Sequence, residues 1–82
     1  MKTFHQKIKH DLMLGHNLRT LRKRAGFTQD QVTAKLQLMG FSMTRSGYSK
    51  IECGIANISI QELLALKELY QASFEEIFTT LD

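Results

Sequence analysis

TRSGYSKIECG, residues Thr44 to Gly54, is the stretch on which the reading of this 82-residue chain turns. Tyr48 and Ile51 stand one helical turn apart and, with Met43 just before them, make a narrow apolar stripe. Arg45, Ser46, Ser49 and Lys50 fall on the opposite side. Thr44 suits an N-cap and Gly54 a left-handed stop, so the pattern predicts a short helix with two faces. The open face carries cations and hydroxyls and no carboxylate, which suits a helix lying in the major groove of DNA. Every surface helix has a polar face, however, so the flanking chain has to decide.

The flanks are helical as well. Leu14, Leu18, Leu21 and Ala25 recur at helical spacing, predicting a first helix from about Leu12 to Ala25 that Gly26 ends. Its exposed side holds Arg19, Lys23 and Arg24. Phe4, Ile8 and Leu12 lie on one helical face, so residues 1–11 form an arm that either extends this helix backwards or is a basic tail. The second helix starts at Thr28: Thr28 and Gln31 have capping-box spacing, and Phe27 and Val32 suit a hydrophobic staple. Its inner positions are Val32, Leu36 and Met39, and Gly40 ends it, with Gly40 to Met43 as the link onward. Ser59 with Glu62, and Ser73 with Glu76, repeat the box ahead of two more helices. Leu63, Leu66, Leu69 and Tyr70 make the buried stripe of one; Phe74, Ile77, Phe78 and Leu81 make the apolar face of the other. No segment alternates as a strand does, so the expected fold is all-α, with five short helices.

Composition narrows the function classes. The chain is long enough for one domain only, 43% apolar, and without a run approaching the roughly 20 apolar residues of a membrane span. Lys2, Lys7 and Lys9 are followed by no long apolar block, so no signal peptide is expected. A lone cysteine, Cys53, fits a reducing cytoplasm. Charge is divided unevenly: residues 1–50 carry +8 and residues 51–82 carry −5, making the net +3. A polyanion is the natural partner of the basic half. His5, His10 and His16 lack ligand spacing, and no nucleophile, base and orienting acid stand together, so neither a metal centre nor an enzyme is expected.

In order, the pieces resemble the helix-turn-helix domain of the XRE family, the group containing the Cro and lambda-type phage repressors. The resemblance runs from about Leu14 to Phe78 and rests on LGHNLRTLRKRAGFTQDQV, SKIECG and ISIQELLALKELYQASFEEIF. It implies a five-helix lambda-repressor-like DNA-binding domain over residues 12–82, with the helix-turn-helix at about 28–54. It further implies that Arg45, Ser46, Ser49 and Lys50 read bases, with Arg45 on a guanine. Thr28, Gln29, Asn57 and Lys23 would hold phosphates. Arg22 and Glu52 match the family's structural ion pair between the first and third helices.

Three features depart from the family pattern. From Val32 to Ser49 the chain is about five residues longer than usual, within QLMGFSM, which predicts a lengthened turn. Thr33 stands where the family prefers Ala. Cys53 replaces a polar residue and is expected as a small, partly buried thiol rather than a redox sensor. The expected activity is that of a sequence-specific regulator of transcription, most simply a repressor, encoded by a bacterium or phage. Phe74, Phe78 and Leu81 are candidates for a homodimer interface, against the alternative that Phe74 and Ile77 close the core and only Leu81 is exposed. The competing reading is an antitoxin-type module that binds a protein partner as well as its own operator. No cofactor is expected, and no ligand domain that would take a small-molecule inducer.

Overall fold

The computed structural model describes the backbone of residues 2–79 and the side chains of residues 13–79. The expectations for the side chains of Phe4, His5, Ile8, His10, Leu12 and Leu81 lie outside that range. Among the described residues there are five helices and no strand: α1 (Lys2–Arg24), α2 (Gln29–Leu38), α3 (Arg45–Glu52), α4 (Ile60–Tyr70) and α5 (Phe74–Phe78). The chain is all-α, as its periodicity predicts. Of the two alternatives for the residues before Leu12, the backbone takes the backward extension: α1 starts at Lys2.

Local chemistry sets the boundaries. All three capping boxes form, at Thr28 and Gln31, Ser59 and Glu62, and Ser73 and Glu76. Each satisfies two amides that a helix start otherwise leaves unpaired, at about 1 kcal/mol per cap. Thr44 caps α3 alone: its hydroxyl accepts from the Gly47 amide at 3.0 Å, and Gly47 has no side chain with which to reciprocate. Gly54 turns left-handed just past α3, at φ 76°.

The core lies between α1 and the three helices packed on it, α3, α4 and α5, with α2 packed against α3. Leu18 and Leu21 of α1, Val32 and Leu36 of α2, Leu66 of α4 and Ile77 of α5 have no exposed surface. Each contributes roughly 1.5–3 kcal/mol by leaving water. Tyr48 is also fully buried, and its hydroxyl meets that of Tyr70 at 2.6 Å. Burial pushes both phenols above their ordinary pKa, so the pair is neutral. Asn17, 2% exposed, donates from its amide nitrogen to the carbonyls of Ile77 and Thr79 at 2.8 Å each, tying α5 onto α1.

Two close approaches fix α3 on α1. At Gly15 an added Cβ would lie 2.5 Å from the Glu52 carbonyl oxygen and 2.6 Å from that of Ile51, so only glycine admits the end of α3 so near. Beside it, Arg22 and Glu52 pair as two parallel bonds, Nε to Oε2 at 2.8 Å and Nη2 to Oε1 at 3.1 Å. Arg22 Nη1 also donates to the Phe27 carbonyl, at 2.9 Å, bracing the corner between α1 and α2.

Between α2 and α3 the connection runs from Met39 to Thr44. Buried Met43 and half-buried Phe41 anchor it to the core, and Gln37 Nε2 donates to the Met43 carbonyl at 2.8 Å. Met39, expected on the inner face of the second helix, is half exposed, because α2 has already ended at Leu38 and Met39 caps it. Thr33 is buried yet satisfied: its hydroxyl donates back to the carbonyls of Gln29 and Asp30, which is how it occupies a site that alanine would fill.

Candidate nucleic-acid interface

Burial separates the two faces of α3. Tyr48 and Ile51 point into the core, while Arg45, Ser46 and Lys50 are exposed and Ser49 is half-buried. The helix is amphipathic because Tyr48 and Ile51 stand one turn apart, which leaves Arg45 and Lys50 on the opposite side, and Tyr48 meets Tyr70 of α4. Arg45, Ser46, Ser49 and Lys50 line one shallow depression together with Gln29, Cys53 and Ile55.

Glu52, the last residue of α3, joins three elements. It is held by Arg22 from α1, and its Oε1 also accepts from Gln29 Nε2 of α2 at 3.0 Å. Burial alone would favour the neutral acid, but the surrounding hydrogen bonds, Arg22's foremost, outweigh it and hold the carboxyl below its ordinary pKa. Glu52 is therefore a neutralised, inward charge and does not face a ligand. Gln29 is thereby pinned at the first turn of α2, beside the depression. That turn's amides at Gln29 and Asp30 have no intrahelical acceptor, which gives α2 a modest attraction for an anion.

The other expected contacts are less concentrated. Thr28 is exposed, with its hydroxyl and amide both engaged in the capping box with Gln31. Lys23 is exposed in the last turn of α1. Its neighbour Arg24 is paired with Glu76 of α5. Asn57 lies away from Arg45, at a hollow lined by Leu14, Ile51, Ala56 and Ile58. On α5, Phe74 and Phe78 are half exposed and stack with ring centres 6.3 Å apart, and Lys67 Nζ sits 4.8 Å from the centre of the Phe74 ring. Only Ile77 of that helix is fully buried, so Phe74 does not close the core.

Two features of the depression, and one beside it, depart from expectation or were missed. Cys53 is exposed rather than partly buried, because it is the C-cap of α3 and the chain turns away from it at Gly54. Ile55, 76% exposed, adds an apolar side chain to an otherwise polar rim. The face also carries a carboxylate: Asp30 of α2 comes within 3.7 Å of Arg45 Nε. Reading α3 alone could not reveal it, since the two residues are brought together only by the packing of α2 against α3.

No curated protein and no solved structure matches the chain. Among the described residues no helix is long and apolar enough to cross a membrane. The chain belongs to the helix-turn-helix domain family, whose model matches residues 13–77, and that membership implies DNA binding.

Proposed function

We propose that this chain is an XRE-type transcriptional repressor that lays α3 in the major groove of a specific double-stranded operator. The observation that carries the reading is the outward set of Arg45, Ser46 and Lys50 on a helix whose other face is sealed by Tyr48 and Ile51. With its side chains an α-helix is about 10–12 Å across, which matches the roughly 12 Å width of the groove. Arg45 lies at the N-terminal end of α3, where a guanidinium fork reaches guanine O6 and N7. Lys50 and Ser49 flank it, and Gln29, Thr28, Lys23 and Asn57 engage phosphates on either side.

So short a helix reads few base pairs. Useful specificity then calls for a two-fold homodimer on half-sites roughly 34 Å apart. The stacked, half-exposed Phe74 and Phe78 support α5 as its interface. Selection of bound duplexes from a randomised pool tests the reading. An enriched palindrome with half-sites one helical turn apart is expected, and Arg45→Ala should cost about 1–3 kcal/mol and relax one base position in each half-site. A pool that enriches nothing, or an Arg45→Ala protein with unchanged preferences, would refute it.

A further inference from the structure

Between Thr28 and Gly54 the chain has two carboxylates. Glu52 is buried and shared by Arg22 and Gln29. Asp30 is not: its side chain is 72% exposed, on the same side as Arg45, itself 65% exposed. A solvated pair at 3.7 Å adds next to nothing to stability. On a face that meets phosphates, a free carboxylate also lowers affinity by like-charge repulsion. What distinguishes the pair is its orientation. Asp30 Oδ1 faces Arg45 Nε, the inner nitrogen of the guanidinium. At that separation the contact is ionic and not a hydrogen bond: the carboxylate lies nearest the inner nitrogen of the planar group, and the N–H donors of both terminal nitrogens have no partner among the described residues.

We propose that Asp30 is a positioning and specificity-determining residue. Its charge draws the Nε side of Arg45 toward α2, which leaves the terminal fork for a guanine edge, and it keeps phosphates from capturing the same guanidinium. The inference rests on the reading of α3 as the helix that contacts bases. Asp30 thus sacrifices some affinity for every duplex in return for discrimination at one base pair.

The probes are the duplex that the wild-type protein enriches from a random pool, its single-base-pair variants, and a random 30-base-pair duplex at fixed salt. Asp30→Asn should bind the random duplex about two- to three-fold tighter, the effect of removing one charge about 8 Å from a phosphate in water. At the base pair relaxed by Arg45→Ala, its discrimination should fall about five-fold, part of what a bidentate contact supplies. Added to Arg45→Ala, the same substitution should leave that base pair's discrimination unchanged. A purely structural role would lower binding to all duplexes alike and leave the pattern of preferences intact. Unchanged discrimination in Asp30→Asn, or a uniform loss at every position, overturns the role of Asp30 while leaving α3 as the reading helix. Should Arg45→Ala relax no base pair, the assignment of α3 falls, and that of Asp30 with it.

Discussion

Gly15→Ala sets two physical effects of opposite sign against each other. Gly15 lies within α1, where alanine is the better helix former by about 1 kcal/mol. By propensity alone the variant should be more stable. The new Cβ, however, would lie 2.5 Å from the Glu52 carbonyl oxygen, about 0.8 Å inside the ~3.3 Å at which carbon and oxygen meet comfortably. The obstacle is backbone, so no rotamer change relieves it, and the end of α3 must retreat by a similar distance. That retreat would stretch the Arg22 Nε bond to Glu52 from 2.8 Å to about 3.6 Å, beyond useful hydrogen bonding. Overpacking costs about 1–3 kcal/mol, and the weakened buried pair adds to it. We expect a net loss of about 2 kcal/mol. In urea, followed by circular dichroism, the midpoint should fall by about 2 M at an m-value near 1 kcal/mol/M. A midpoint equal to or above that of the parent would refute the claim that α3 is seated through this contact.

Glu52→Gln leaves Arg22 buried without its counter-charge and should cost about 3 kcal/mol at neutral pH by urea unfolding. Because folding lowers the pKa of Glu52 below the ordinary carboxylate value of 4.5, its stabilisation is present above about 4.5 and is lost as pH falls through the lower folded value. The parent should therefore lose more stability between pH 5 and pH 3 than Glu52→Gln does; parallel losses would show that Glu52 is not the group responsible. Lys23→Ala should weaken binding to all duplexes alike and flatten the salt dependence by about one charge; an altered base preference would count against a phosphate contact. Phe74→Ser with Phe78→Ser should leave the fold intact, since both rings are half exposed, and convert a dimer to a monomer in sedimentation at micromolar concentration. A parent that is already a monomer, with or without DNA, would exclude α5 as the interface.

Much of the architecture was legible because its signals are local. A cap and its partner three residues on, as at Ser59 and Glu62, state where a helix starts without reference to the rest of the chain. The apolar spacing around Tyr48 likewise orients α3, and the orientation leaves Arg45 and Lys50 outside. What escaped depends on juxtaposition. Gly15 resembles an ordinary weak point in a helix until the carbonyls of α3 are placed against it. Met39 falls on the inner face of an extended α2, yet the helix stops one residue short of it. Asp30 and Arg45 are fifteen positions apart in sequence, and no periodicity within one helix could pair them. The exposure of Cys53 is likewise a property of the turn that follows it, not of the residue.

The clamp between α1 and α3 separates where the third helix points from how the chain arrives there. With its aim set by Arg22, Glu52 and the notch at Gly15, the exposed residues at the head of the link need only reach the anchored Phe41 and Met43. Doubling a flexible span adds only about 0.6 kcal/mol of closure entropy. The exposed corner at Leu38 and Met39 is thus a natural place to graft a reporter, and lengthening the chain there would leave the outer face of α3 unaltered.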